Sequence, residues 1–224
     1  KKNLLILLLN FLPILLFSQN YSVFSIPDSL KSNANAVIRN YQHSVLFFSD
    51  NEIIIEVNQV ITILNEEGKK YSVLDIQYDP NIKVIDVNGK VYNDFGVEIQ
   101  KIKFKDILDI SSVESYSLFT DDRHKLFVPS IQKYPFTIEY SYKYKQSTSF
   151  YTPTFTPYLE TDFNISVEKS MFKVTKKVNQ DVKYYLMNTK KTPQEHIEKE
   201  VITWIWSFDN RSEERRVGKE CRSR

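Results

Sequence analysis

Between Glu52 and Leu64 the chain alternates: Ile53, Ile55, Val57, Ile61 and Ile63 share one side, with Glu56, Asn58 and Thr62 on the other. Period-two alternation marks a strand with one buried face, because successive side chains point to opposite sides of a pleated backbone. The pattern recurs at Phe136 to Lys145, where Ile138, Tyr140, Tyr142 and Tyr144 oppose Glu139, Ser141, Lys143 and Lys145. Two such segments commit the chain to a sheet with an apolar, partly aromatic face.

The rest of the sequence follows the same grammar. Tyr (14) and Phe (15) are abundant, and such residues suit a half-buried pleated surface. Asn65-Glu-Glu-Gly68 reads as a turn with a glycine at positive φ, returning Tyr71 to Tyr78 as the partner strand. Asp79-Pro80 breaks that strand. Asn88-Gly89, between Lys83–Val87 and Val91-Tyr92, reads as a hairpin turn. Strands are also expected at Lys125–Val128, Asp162–Glu168, Phe172–Val178, Val182–Met187 and Val201–Phe208. Lys101 to Ile110 is strand or irregular, Ser147 to Pro157 a loop, and Pro27 to Ala36 a polar segment with one helical turn. Short strands at near-regular spacing with no long helical period predict an all-β fold, an antiparallel β-sandwich of about ten strands.

Both ends are expected to lie outside that domain. Lys1-Lys2 followed by an apolar run from Leu4 to Phe17 has the form of a cleavable signal peptide, residues 1–18. The run is shorter than the roughly 20 apolar residues of a membrane span and is interrupted by Asn10 and Pro13. Cleavage after Ser18 would leave Gln19 first, with a short lead over 19–35 and the sandwich over 36–210. Residues 211–224, Arg-Ser-Glu-Glu-Arg-Arg-Val-Gly-Lys-Glu-Cys-Arg-Ser-Arg, resemble the translation of a DNA sequencing adapter and are set aside as non-native. Six of the 30 basic and three of the 28 acidic residues lie in that tail, and two basic ones in the leader. That leaves 22 against 25, a net charge of −3, and removes the basis for a nucleic-acid partner. Cys221, the one cysteine, is also in the tail, so disulfides, thiolate metal sites and a Cys nucleophile are not expected. An exported location follows, periplasm or cell surface of a Gram-negative cell, with no membrane span after cleavage.

The succession Ile63-Leu-Asn-Glu-Glu-Gly68, Asn88-Gly-Lys90, Asp121-Asp-Arg123 and Ile138-Glu-Tyr-Ser-Tyr142, ending in Thr203-Trp-Ile-Trp206 and Asp209-Asn210, resembles the domain of unknown function 3857 family over residues 36–210. That resemblance implies a non-catalytic β-sandwich, common in Bacteroidetes, behind a signal peptide and ahead of a papain-like, transglutaminase-like domain that would be its partner in cis. No catalytic residue carries over. Family members often have a glycine before the Ile-Glu-Tyr strand, where this chain has Tyr134-Pro-Phe136.

Candidates for chemistry are few. His43, His124 and His196 stand far apart, in no metal-ligand spacing, and read as surface or turn residues. Asp121-Asp122 beside Arg123-His124 reads as a capped turn before a strand, with a cation site as the sharper alternative. No Gly-x-Ser-x-Gly elbow or phosphate loop is present, and no cofactor is implied. Trp204 and Trp206 share a strand face and read as core. The aromatic stretch Tyr134 to Tyr158 is the main binding candidate: its strand tyrosines should face the core, while Tyr151, Phe155 and Tyr158 could hold a glycan or peptide. Two functions remain, an accessory module for a downstream domain and a free-standing binding module.

Overall fold

The computed structural model describes residues 21–112, 121–147, 153–157, 164–187 and 189–211. Among them the chain is all-β: β1 Ala36–Phe47, β2 Glu52–Ile63, β3 Leu74–Tyr78, β4 Ile82–Tyr92, β5 Glu98–Ile102, β6 Leu108–Ser111, β7 Arg123–Phe127, β8 Phe136–Ser147, β9 Ile165–Lys177, β10 Gln194–Glu198 and β11 Val201–Arg211. Eight strands form one sheet in the order β10-β11-β9-β1-β2-β8-β4-β5, and three form a second in the order β3-β7-β6. Every pairing is antiparallel except that of β1 with β9, which is parallel.

Register carries the inner face across the large sheet in rows. Trp206, Phe172, His43, Val57, Tyr142 and Val87 face one another strand by strand from β11 to β4. The adjacent row is Trp204, Val174, Val45, Ile55, Tyr144 and Val84. Opposed side chains on one face pack directly, which is the unit of sheet stabilisation. Two clusters result. The first, around Ile38, Ile61, Val91, Ile138 and Tyr140, is covered by Leu74, Ile76 and Phe127 of the small sheet. The second lies around Val45, Ile53, Ile55, Val57, Val174, Trp204 and Trp206, and among the described residues no hydrophobic side chain of the small sheet packs against it.

Several elements depart from the sequence reading. Asn88 and Gly89 lie within β4 and make no turn. Glycine is required at 89 because a Cβ there would meet the Glu139 carbonyl oxygen at 2.5 Å. Gly68 serves a similar end: it has no positive φ, and a Cβ would meet Asn35 O at 2.2 Å. The Asn65 side chain accepts from Gly68 N–H and caps a 3-10 turn, Glu66–Ser72, which carries the chain away from β2 so that β3 pairs with β7 in the other sheet. Of the two strands expected at Asp162–Glu168 and Phe172–Val178, residues 162 and 163 lie outside the described residues, and Ile165–Glu168 and Phe172–Lys177 fall on one strand, β9. Val182 to Met187 is irregular, with Val182 and Leu186 packed against the second cluster. Lys101 to Ile110 resolves into the end of β5, a 3-10 turn at Phe104–Asp106, and β6. The turn at Tyr134-Pro135 is made with a cis peptide bond. β1 and β10 are strands that the alternation did not reveal.

Residues 21–35 pack on the back of the large sheet. Val23, Ile26, Leu30 in α1 (Asp28–Lys31) and Ala34 bury against Val37. Val23 N–H donates to Asp94 O at 2.9 Å and Asn35 N–H to Asn164 O at 2.8 Å. Arg39 joins the layers: its Nε donates to Glu168 at 2.7 Å, and its terminal nitrogens donate to Ser22 O and Ser25 Oγ.

Two substitutions test these close approaches. Gly89→Ala should cost about 1–3 kcal/mol through overpacking against β8, read as a lower urea midpoint. Leu30→Ala should cost about 2–4 kcal/mol as a buried truncation, whereas an unchanged midpoint would mean that residues 21–35 do not contribute to the fold.

Candidate functional site

The second cluster is where aromatic side chains concentrate, and the strands place them there. Residues two apart on β11 put Trp204 and Trp206 on one face, both buried as expected. Tyr184, from the irregular stretch after β9, sets its ring edge-on to both indoles at 5.1 Å. Phe155 lies parallel to Phe172 with centroids 4.8 Å apart, stacks on Tyr41 at 5.9 Å, and meets His43 edge-on. Its ring is therefore half-buried in the sheet face. Tyr151 and Tyr158 lie outside the described residues. On β8, Tyr140 is 2% exposed and donates to Ser72 O at 2.6 Å, and Tyr142 and Tyr144 pack against the second cluster, so these tyrosines face the core. Burial raises the phenol pKa of Tyr140 and of Tyr142.

This face also holds buried polar atoms with no partner: His43 Nε2, Ser170 Oγ and Trp206 Nε1. His43 was expected at the surface or in a turn; it sits mid-strand at 8% exposure. Its ring packs edge-on to Phe172 at 5.4 Å, and burial lowers its pKa from 6.5 to about 4. The imidazole is neutral at physiological pH. Alternation from Tyr41 through His43 to Val45 is the signal that could have placed it, once the bulge between Ile38 and Asn40 is known.

Several other ionisable groups are engaged in separate places. Asp109 on β6 accepts from Lys125 at 2.7 Å, from Tyr78 at 2.7 Å and from Arg123 at 2.9 Å, and those donors hold its carboxyl down at about 2. Arg123 thus engages Asp109, and Asp121-Asp122 precede β7. His124 pairs with Asp75 at 2.7 Å on the opposite face of the small sheet, and His196 lies exposed on β10. The three histidines occupy three separate regions. Tyr92 donates to Glu139 at 2.7 Å and Tyr21 to the same carboxylate at 3.3 Å; burial, with that charge, pushes Tyr21 up to about 12. None of these partnerships was legible beforehand, because each joins residues distant in sequence through register alone. Among the described residues, no three His, Cys, Asp or Glu side chains converge in a way that could hold a metal ion. No described helix is long and apolar enough to cross a membrane.

The fold defines a class: an all-β domain of two sheets, with Asp109, Arg123, His124 and Glu139 engaged between strands. The family model described as Domain of Unknown Function with solved structure, DUF3857, matches residues 49–210, and the chain belongs to that family. No curated protein matches it in sequence. Among solved structures, the fold is similar to a "putative protease" from Parabacteroides distasonis, with TM-score 0.60 and 12% identity over 79% of this chain and 35% of that one. An M1 zinc metallopeptidase from Deinococcus radiodurans aligns at TM-score 0.36 and 7% identity, covering 78% of this chain and 39% of that one. At 12% identity the likeness to the first is one of fold. The chain spans about a third of the length of the first of these structures.

His43 makes the fold acid-sensitive in a defined window. The unfolded imidazole binds a proton below its usual pKa near 6.5, and the folded one only near 4, so stability falls as pH drops through that interval. The full loss is about 3 kcal/mol at roughly 1.4 kcal/mol per unit. The Asp109 contribution is lost separately, below about pH 4 and toward 2. Urea midpoints measured from pH 7 to 3 should show both slopes, and His43→Leu should remove the upper one alone.

Proposed function

We propose that this chain is a non-catalytic accessory domain of a longer exported bacterial protein, which docks on and orients a transglutaminase-like domain following it in cis. The observation that carries the reading is the fold comparison: a similar fold makes up 35% of the Parabacteroides distasonis chain, a protein described as a "putative protease". Family membership over residues 49–210 supports it, because the resemblance drawn from the sequence implies a transglutaminase-like domain following such a domain. The confinement of Asp109, Arg123, His124 and Glu139 to strand-to-strand pairs supports a structural role for them. The leader-like residues 1–18 support export to the periplasm or cell surface.

The alternative, a glycan- or peptide-binding module using Tyr151, Phe155 and Tyr158, has less support, because Phe155 turns its ring onto Phe172 and Tyr41. Reading the parent gene beyond residue 210 tests the proposal. A Cys, a His and an Asp in transglutaminase order are expected downstream; an immediate stop codon or a sorting domain would sink it.

A further inference from the structure

The two edges of the eight-stranded sheet are unlike. At one edge, β5 covers only Gly89 to Tyr92 of β4, with a bulge between Val91 and Tyr92. The uncovered stretch of β4 carries a second bulge between Val84 and Asp86. Bulges bend and twist a strand and blunt it as a template for further pairing. At the other edge, β10 pairs with β11 from Gln194↔Ile205 to Glu198↔Val201 with no register shift. All five of its residues are exposed. In an antiparallel pair every second residue turns its N–H and C=O away from its partner strand. β10 therefore offers a regular row of main-chain donors and acceptors.

Its two faces differ in chemistry. Ile197 pairs with Ile202 on the face of the second cluster and is 63% exposed, an apolar row that stops in solvent. The opposite face carries His196 and Glu198, and these, with Lys199, Glu200, Val201 and Thr203, line an open cleft of about 660 Å³. From Gln194 to Val201 there are three carboxylates, Glu195, Glu198 and Glu200, against one lysine, Lys199. Glu195 is already engaged, accepting from the Trp204 indole N–H at 2.7 Å, which leaves Glu198 and Glu200 facing the cleft.

We infer that β10 is a strand-addition site for an extended basic peptide segment whose apolar side chains extend the Ile197–Ile202 row while alternate Lys or Arg side chains enter the Glu198–Glu200 cleft. Main-chain hydrogen bonds supply affinity in this mode and alternate side chains supply selectivity. This goes beyond the cis-accessory reading and does not rest on it: the segment can belong to any chain with that alternation.

The test is fluorescence anisotropy of the full chain with a labelled ten-residue peptide of alternating Lys and Val. Saturable binding is expected, with amide shifts in the protein's NMR spectrum confined to β10 and the adjacent cleft. Methylating alternate peptide nitrogens removes the main-chain donors while keeping every charge, and should weaken binding at least about tenfold. The protein variant Glu198→Lys/Glu200→Lys, with its urea midpoint checked against the parent, should also weaken it at least about tenfold. Equal affinity for the methylated peptide would mean attraction by charge alone and would overturn the proposal. So would absence of binding, equal binding of a Glu–Val peptide, shifts centred on β5 or β6, or a β10-mediated dimer that the peptide does not displace.

Discussion

The large sheet hangs on one parallel seam. Among the described residues, β9, β11 and β10 are hydrogen-bonded into the other five strands of the sheet only through the pairing of β1 with β9. Parallel pairing is slightly weaker per residue than antiparallel, and this one joins Ala36–Leu46 to Ile165–Thr175, segments separated by most of the domain. Closing so long a loop carries an entropic cost that the seam must offset. It does so by burial on both faces, as parallel sheets generally require. Behind it, Val37 and Leu30 pack together, and the Arg39–Glu168 ion pair bridges β1 to β9 and holds residues 22 and 25 over the joint. In front, His43 faces Phe172, Val45 faces Val174, and Phe155 stacks across Tyr41 and Phe172.

That position explains why an unpartnered histidine is tolerated. His43 contributes ring area to a row running from Trp206 to Val87, and its neutral form contributes without a buried charge. The orphaned Nε2 and the orphaned Trp206 Nε1 are a cost of placing amphipathic rings in a dry row. The seam is thus held by shape and aromatic area, and acid attacks it at His43 before it attacks the carboxylate pairs of the small sheet.

Legibility in the sequence followed the same physics. β2 and β8 could be read because their apolar residues alternate in sequence and part of each strand buries them in the same rhythm, Ile53, Ile55 and Val57 in β2 and Ile138 and Tyr140 in β8. β1 could not, since the bulge between Ile38 and Asn40 switches faces midway and hides the period. Asn88-Gly89 misled because a hairpin turn and a close interstrand approach ask for the same residue, and only the Glu139 carbonyl distinguishes them. β10 carries no burial signal at all, being exposed throughout, although it is the edge with the most to offer a partner. Trp204 and Trp206 were legible from their spacing alone. Phe155 was picked out as a possible ligand-binding aromatic; its direction, onto Phe172, depends on register that no local pattern encodes.

The aromatic richness that first suggested strands has a more specific cause in the architecture. Among the described residues, the three short strands pack on the first cluster and no strand of the small sheet lies over the second. What closes that cluster is irregular chain: 153–157 with Phe155, and 182–187 with Val182, Tyr184 and Leu186. Irregular segments bring few side chains per unit of length to a surface, so each must cover a large area. Rings do this best, burying roughly 150–250 Å² apiece at little rotamer cost. Phe172, Trp204 and Trp206 below, and Phe155 and Tyr184 above, are that solution. Smaller aliphatic residues at these positions would leave the β9–β11 half of the sheet wet on its inner face, and the seam would then lose the burial that offsets its closure.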